Sequence, residues 1–244
     1  MTKLSVNVNK IATLRNTRHL GIPSVTRAAR ICLDAGAAGI TIHPRPDERH
    51  IRPGDVDDIA HLLRGYPQAE FNIEGNPFHG AYMDHIRRVR PTQCTLVPDT
   101  LEAFTSNQGW DLNADAGRLG PIIRELHRLG GRVSLFMDAH PDAMKHAKMV
   151  GADRVELYTE PYASGFAAGH LAEAVAPYVA SAAAATQLGL GVNAGHDLNL
   201  ANLSPFLRAT GSVLEVSIGH ALIADALEFG IAETVKKYLE KCEN

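Results

Sequence analysis

Three histidines and one glutamate stand at the ends of short apolar runs, where an α/β protein gathers its reactive side chains. They are His43, Glu74, His196 and His220. Imidazole has the ordinary pKa that lies nearest neutrality, and a carboxyl group that loses contact with water has its pKa raised. Groups of these types can give and take protons near neutral pH. The pattern therefore indicates general acid–base catalysis, for which His43, Glu74 and His196 are the main candidates.

Glu74 ends the run Glu70-Phe71-Asn72-Ile73-Glu74. Side chains alternate along a strand, so Glu70, Asn72 and Glu74 share one face. In a barrel this face points into the lumen, where Glu74 would lose water and could act as a general base. The alternative is a carboxylate held by Arg or Lys in a structural ion pair.

Glycine precedes histidine at Gly195-His196 and again at Gly219-His220. Both pairs follow apolar runs near the end of the chain. Barrel enzymes commonly hold a phosphate there, on backbone amides and the N-terminus of a helix. The two pairs therefore predict phosphate binding, although each glycine could serve only its own turn.

A cationic loop follows His43 and carries Arg45, Arg49, His50 and Arg52. Such a loop suits an anionic substrate, although a run of charge is often only a solvated face. The other polar candidates at strand ends are Asn7, Asn9, Asp138, Glu156, Glu160 and Asn193.

A divalent metal site could in principle form from His43, His196, His220, Glu74 and Glu156, as in metal-dependent sugar-phosphate epimerases on similar barrels. The chain has no local ligand spacing such as His-Glu-x-x-His. We therefore predict no metal.

The elements that must position these residues alternate between strand-length and helix-length segments. The predicted strands are Leu4–Val8, Gly39–His43, Glu70–Glu74, Gln93–Val97, Arg132–Met137, Arg154–Tyr158, Gly191–Ala194 and Leu214–Ile218. The predicted helices are Ser24–Ala35, Asp55–Arg64, Gly80–Arg88, Asp115–Leu129, Asp142–Val150, Leu171–Leu188, Leu200–Leu207 and one from about Ala221 to Lys241. Eight strand–helix units predict an α/β fold, a (β/α)8 TIM barrel, as a single domain over residues 1–244. An open doubly wound sheet is less favoured because Asn7-Val8-Asn9-Lys10 lacks the glycine-rich phosphate turn.

Composition narrows the class of partner. The chain has 244 residues, a formal net charge of -3 and no basic block, so neither nucleic acid nor a membrane surface is indicated, and a small molecule is the expected partner. The three cysteines, Cys32, Cys94 and Cys242, lie far apart, which argues against a disulfide framework. No apolar stretch is long enough to span a membrane. We expect a cytoplasmic protein.

Six motifs resemble the pyridoxine 5'-phosphate synthase family of the deoxyxylulose-dependent route to vitamin B6. They are Val8–Arg18 (V-N-K-I-A-T-L-R-N-T-R), Gly39–Arg45, Asn72–Glu74, Leu96–Pro98, Val192–His196 and Ser217–Ala221. They run in order through nearly the whole chain, at the predicted strands and the loops that follow them.

The resemblance implies a ring-forming condensation of 3-amino-2-oxopropyl phosphate with 1-deoxy-D-xylulose 5-phosphate, with release of inorganic phosphate and water and no cofactor. It implies that His43 and Glu74 are the acid–base pair and His196 the proton donor. It also implies a homo-oligomer, an octamer in family members. The implied substrate contacts are Asn7 for the amino ketone; Arg18, Arg45, His50 and Thr105 for deoxyxylulose phosphate; Gly219 and His220 for phosphate; and Asp197 beside His196.

The chain differs from the family pattern at Asn9-Lys10, where that pattern reads Asp-His. We keep both residues as substrate-binding candidates. Lys10 could bind phosphate as a point charge, or form an imine if it is desolvated. The alternatives to the synthase are a sugar-phosphate aldolase or epimerase on the same scaffold, and a non-catalytic barrel that binds a phosphorylated ligand.

Overall fold

A computed structural model describes residues 1–100 and 105–243 of the chain. Its strands are β1 (Lys3–Asn7), β2 (Gly39–Ile42), β3 (Glu70–Gly75), β4 (Gln93–Leu96), β5 (Arg132–Met137), β6 (Arg154–Tyr158), β7 (Gly191–Gly195) and β8 (Val213–Ile218). The strands are all parallel and pair in sequence order, and β8 pairs with β1 to close the barrel. The predicted (β/α)8 fold is confirmed.

The helices surround this barrel. They are α1 (Asn9–Asn16), α2 (Val25–Asp34), α3 (Pro53–Leu63), α4 (Tyr82–Val89), α5 (Leu112–Arg128), α6 (Met144–Val150), α7 (Glu160–Ala167), α8 (Leu171–Gln187), α9 (Leu203–Thr210), α10 (His220–Phe229) and α11 (Ile231–Glu243). A short 3-10 turn, Pro141–Ala143, precedes α6. Among the described helices, α1 and α7 were missing from the sequence prediction.

The single last helix predicted from about Ala221 to Lys241 is wrong, since two helices occupy that stretch. Gly230 separates α10 from α11 with a backbone φ of 78°. A φ in this region is open to glycine at little cost, and it interrupts the helical hydrogen bonds.

The barrel lumen is polar, although such barrels are usually filled by branched apolar side chains. Its layer nearest the starts of the strands links seven of the eight strands by ion pairs and amide hydrogen bonds. The members are Lys3, Glu70, Gln93, Arg132, Arg154, Asn193 and Glu215. Buried apolar side chains instead form one large cluster between the outer faces of the strands and the helices. The interior is therefore available for polar chemistry.

No helix in the described part of the chain is both long and apolar enough to cross a membrane.

Candidate active site

Six strands bring polar side chains to one mouth of the barrel. Asn7 ends β1, His43 follows β2, Glu74 lies in β3, His196 follows β7, and Ser217 lies in β8. The parallel strands all end on this side, as the sequence analysis expected. Asp99, which follows β4, joins them.

Glu74 points into the lumen and has little contact with water. Its carboxyl oxygens lie 3.4 Å from both the Asn7 Nδ2 donor and the Ser217 Oγ donor. Burial, followed by the nearby carboxyl groups of Glu156 and Asp99, raises the pKa of Glu74 well above its ordinary value. No Lys or Arg in residues 1–100 or 105–243 forms an ion pair with it. The alternative of a structural ion pair therefore fails.

His43 lies beside Glu74. Its Nδ1 is 3.9 Å from Glu74 Oε2, and the residue is only 6% exposed. Burial, with smaller contributions from His50, Arg45, His196 and Arg49, lowers the pKa of His43 well below its ordinary value. The pKa values of the two neighbours are thus shifted in opposite directions, which favours a neutral imidazole next to a carboxyl group that holds its proton more tightly than usual.

His196 is held over two aromatic rings. Its ring centroid lies 5.2 Å from Tyr158 and 5.7 Å from Phe136, both in edge-on arrangements. Its backbone φ is 83°, a left-handed conformation that is uncommon for a histidine, and Thr159 Oγ1 donates to its carbonyl. Burial lowers the pKa of His196. A non-glycine residue held in this region is a frequent mark of a functional site.

Asn9 supports the backbone of this site. Its Oδ1 accepts a hydrogen bond from the His43 N–H at 3.0 Å, and its own N–H donates to Asn7 Oδ1 at 3.0 Å. A carboxylate oxygen could accept the same bond, so an aspartate at this position could do the same. The Asn9 side chain therefore forms a hydrogen bond within the protein, to the backbone of His43.

Lys10 is exposed at the start of α1, and its charge acts on both His50 and His196. Because the ammonium stays in water, the desolvation that imine formation would need is missing. Its position suits a point charge at the mouth of the site.

The two Gly-His turns differ in structure. Gly219 is followed at once by α10, whose first turn has neither a capping side chain nor an acidic residue, so its backbone N–H groups can receive an anion. The Gly195 turn leads into a loop, and α9 begins only at Leu203. A Cβ on Gly195 would lie 2.7 Å from Glu156 Oε1, so this glycine is needed for packing inside the barrel. Of the two turns, only Gly219 therefore lies at the N-terminus of a helix, and phosphate binding at Gly195-His196 stays a prediction.

Arg45 and His50 lie together in the cationic loop, and both are buried. Arg45 Nη1 donates to Asp99 Oδ2 at 2.7 Å, and His50 stacks edge-on against His43 at 6.0 Å. Burial, then the charges of Arg45 and Lys10, lowers the pKa of His50 to about 4. The loop therefore brings charge close to the acid–base pair rather than forming only a solvated face.

Four predicted contacts lie at the surface. His220 and Asp197 are exposed but near the site, since His220 begins α10 and Asp197 acts electrostatically on His196. Thr105 is exposed directly after residues 101–104, which lie outside the described part. Arg18 is exposed beyond α1, and its side chain makes no hydrogen bond or ion pair within the described ranges. Its contact with a substrate stays a prediction.

A family model described as pyridoxal phosphate biosynthesis protein PdxJ matches residues 4–244. The chain belongs to the PdxJ family. It is 59% identical over 243 residues to pyridoxine 5'-phosphate synthase of Albidiferax ferrireducens, with 98% of this chain and 96% of the relative covered. It is 51% identical over 241 residues to the enzyme of the same name from Porphyromonas gingivalis, with 99% of each covered.

Solved structures with the same fold are more distant. The YdjI aldolase from Escherichia coli K12 matches with a TM-score of 0.64 and 11% identity, covering 99% of this chain and 90% of that one. Phosphoribosyl anthranilate isomerase from Thermotoga maritima matches with a TM-score of 0.62 and 13% identity, covering 100% and 99%. At these identities the likeness supports the barrel fold of this PdxJ family member and nothing more.

The described residues contain no group of three or more His, Cys, Asp or Glu side chains that could hold a metal ion. In this PdxJ family member the histidines of the mouth instead face carboxyl groups, aromatic rings and one another.

Glu156 gives the fold a pH dependence that can be measured. Burial and the Glu215 carboxyl group raise the pKa of Glu156 to about 8. Between pH 4.5 and 8 the folded protein then keeps a proton that the unfolded chain releases, so stability falls as pH rises. We expect Glu156→Gln to remove up to roughly 1 kcal/mol per pH unit of this slope.

Urea unfolding at pH 5, 6.5 and 8 would measure this slope. Glu228→Gln, an exposed change on α10, is the control that should keep the parental slope. Equal slopes for the parent and Glu156→Gln would show that Glu156 is ionised in the fold at neutral pH.

Proposed function

We propose that this chain is a pyridoxine 5'-phosphate synthase, which condenses 3-amino-2-oxopropyl phosphate with 1-deoxy-D-xylulose 5-phosphate and releases inorganic phosphate and water. Membership of the PdxJ family and the names of its relatives support the reaction. The observation that carries the mechanism is the buried His43–Glu74 contact of 3.9 Å at the barrel mouth.

Imine formation, dehydration and ring closure each require protons to move to or from the substrates. The lowered pKa of His43 favours a neutral imidazole that can accept a proton, and the raised pKa of Glu74 favours a protonated carboxyl group that can donate one. After these transfers His43 carries a proton and Glu74 has lost one, so each group can carry out the reverse transfer. We assign His196 as a further proton donor, on the opposite side of the mouth between β7 and α9. Each of these groups can contribute roughly 10²–10⁴ in rate.

Two anion sites fit two phosphorylated substrates. The N-terminus of α10, with Gly219 and His220, offers backbone N–H groups to one phosphate. Arg45, with Lys10 at the entrance, offers positive charge to deoxyxylulose phosphate, and the neutral His50 ring offers a hydrogen-bond donor. Asn7, whose Nδ2 already faces Glu74, is placed to contact the amino ketone. Arg18, Thr105 and Asp197 stay predicted substrate contacts.

We also propose that residues 1–244 act as one domain and that copies assemble into a homo-oligomer. Large apolar side chains are exposed on α1, on the segment after it and on α10, and α1 contacts α10. They are Leu14, Leu20, Ile22, Leu227 and Phe229. Sedimentation velocity would give the size of the assembly; a monomer at micromolar concentration would contradict this proposal.

The reaction is tested by mixing the purified chain with both substrates, in a chelator and without any added cofactor. We expect phosphorus and proton NMR to show pyridoxine 5'-phosphate and inorganic phosphate in equal amounts. An aldolase or epimerase would instead consume deoxyxylulose phosphate without the amino ketone. Borohydride should leave the mass of the protein unchanged, because Lys10 forms no imine. Binding of either substrate without product would indicate a non-catalytic barrel.

Asn16 in α1 contacts the backbone of the cationic loop, so its substitution tests whether α1 keeps this loop in place. Its Nδ2 lies within hydrogen-bond distance of three successive carbonyls, those of Glu48, Arg49 and His50, at 3.3, 3.2 and 2.8 Å. We expect Asn16→Ala to lower the free energy of unfolding by about 1–3 kcal/mol. We also expect the KM for deoxyxylulose phosphate to rise by about tenfold, since roughly 1.4 kcal/mol of lost binding gives that factor.

Steady-state kinetics and urea unfolding of Asn16→Ala would measure both effects. Thr17→Ala, at the exposed neighbouring position, should match the parent in KM. An unchanged KM for Asn16→Ala would mean that the loop holds its position without α1.

A further inference from the structure

Asp99 is a buried carboxyl group at the mouth of the barrel that the sequence analysis did not single out. It follows β4, and its side chain is 7% exposed. Its Oδ2 accepts hydrogen bonds from Arg45 Nη1 at 2.7 Å and from Ser106 Oγ at 2.9 Å. Arg45 Nη2 also donates to the neighbouring carbonyl of Thr100 at 3.1 Å. The guanidinium is thus fixed to this part of the chain by two bonds.

Asp99 also faces the reactive imidazole. His43 Nε2 lies 3.7 Å from Asp99 Oδ2, while His43 Nδ1 lies 3.9 Å from Glu74 Oε2. Each ring nitrogen therefore faces a different carboxyl group. Both distances exceed that of a hydrogen bond, and contacts between catalytic groups are commonly this long until substrate is bound.

The two carboxyl groups differ in their partners. Burial raises the pKa of Asp99, while a guanidinium and a hydroxyl donor at hydrogen-bond distance act against this rise and favour its ionised form. Glu74 has only an amide and a hydroxyl at 3.4 Å, and other carboxyl groups are close to it. The negative charge is therefore expected on Asp99, and the proton on Glu74.

We propose that Asp99 is a positioning residue for this site: its carboxylate holds the N–H of neutral His43 on Nε2, leaves Nδ1 free to accept a proton on the Glu74 side, and anchors Arg45 beside them. The proposal rests on the proposed function for the roles of His43, Glu74 and Arg45. The partner of one ring nitrogen sets which nitrogen carries the hydrogen.

Proton transfer follows from this arrangement. When Nδ1 accepts a proton, the ring becomes an imidazolium whose Nε2–H still points at the Asp99 carboxylate. The charge on Asp99 stabilises that cation, and Asp99 itself takes no proton. The aspartate behind the catalytic histidine of a Ser-His-Asp triad acts in the same way. Without Asp99, the Nε2–H would lose its carboxylate partner, and the positive charges of Arg45 and Arg49 would oppose the imidazolium.

A purely structural role is the competing explanation, because a buried Asp–Arg pair can simply hold two loops together. Such a role predicts a loss of stability but no fixed tautomer of His43. The tautomer is therefore the readout that separates the two.

The first experiment measures the tautomer in the parent protein. Nitrogen NMR of protein with ¹⁵N-labelled histidine, at pH 7.5, should show His43 with hydrogen on Nε2, its signals being assigned by their loss in His43→Asn. Hydrogen on Nδ1 would overturn the proposal. This measurement needs neither turnover nor an Asp99 variant that folds, so it stands even if the proposed reaction fails.

The second experiment uses Asp99→Asn. We expect a fall in kcat of up to about 100-fold, the size of effect that misplacing a catalytic group by about 1 Å can have. We also expect the preference for the Nε2–H tautomer to be lost. Asp99→Glu, which keeps the charge, should recover part of both. Asp57→Asn, which removes an exposed Asp–Arg pair to Arg88 on the outer helices, should match the parent. A folded Asp99→Asn protein with parental kcat and the Nε2–H tautomer would refute the proposal.

Discussion

Replacing Glu74 by glutamine is expected to lower kcat by about 10²–10⁴-fold while KM for both substrates stays within a few-fold of the parent. Glutamine keeps the shape of the side chain; its oxygen can still accept from Asn7 Nδ2 while its amide donates to the Ser217 hydroxyl, so the pocket should be preserved. It cannot donate and then take back a proton as a carboxyl group does. Steady-state product formation with both substrates would measure the loss.

The matched control is Glu173→Gln, an exposed change on α8 that should leave kcat unchanged. Unfolding curves of the two variants would show that any loss is not a loss of fold. If Glu74→Gln turned over at the parental rate, Glu74 would not be part of the proton transfer.

Replacing His43 by asparagine is the second change with a large expected effect. The amide cannot be protonated, so kcat should again fall by about 10²–10⁴-fold. The variant should also change the pH profile. The pKa of His43 is lowered well below 6.5, so parental kcat/KM should hold as pH falls through 6.5 and decline only at lower pH, where the imidazole becomes protonated.

In His43→Asn this acid-side decline should disappear or move, because the group that causes it is gone. Measurement of kcat/KM from pH 4.5 to 8 for parent and variant would show whether His43 causes the acid-side decline. His61→Asn, an exposed change on α3, is the control and should keep the parental profile. A parental profile whose acid-side decline has its inflection at 6.5 or above would contradict the proposed state of His43.

The strands and their order could be predicted from sequence because each is a short apolar run bounded by glycine, proline or polar residues. Arg132–Met137 and Arg154–Tyr158 were predicted to the residue. The helices α1 and α7 were missed for a local reason. Each has eight residues, neither begins with a capping side chain, and few of their residues are buried. Such short helices depend on tertiary contacts that the local sequence does not reveal.

The site could be predicted where it depends on strand ends. His43, Glu74 and His196 are at one mouth because parallel strands all finish on the same side. Asp99 could not be found in this way. Its importance comes from contacts with Arg45, 54 residues earlier in the chain, and with His43, and no periodicity links these positions. Likewise, the repeated Gly-His pairs looked alike in sequence, but Gly195 is required by the Glu156 side chain beneath it.

The difference from the family pattern at Asn9-Lys10 could be explained only from the contacts of these residues in the structure. Sequence alone suggested a changed substrate contact. In the structure Asn9 holds the backbone of His43, a task that an amide oxygen and a carboxylate oxygen perform equally well, and Lys10 stands in water at the entrance. The substitution therefore leaves the acid–base pair in place.

In the proposed mechanism His43 and Glu74 transfer protons as one unit. A double-mutant cycle on kcat, with the parent, Glu74→Gln, His43→Asn and the double variant, would measure this coupling. If the two groups work together, the double variant should lose about as much activity as the more damaged single variant. A double variant whose loss equals the product of the two single losses would contradict the claim, since it would mean that the two groups act independently.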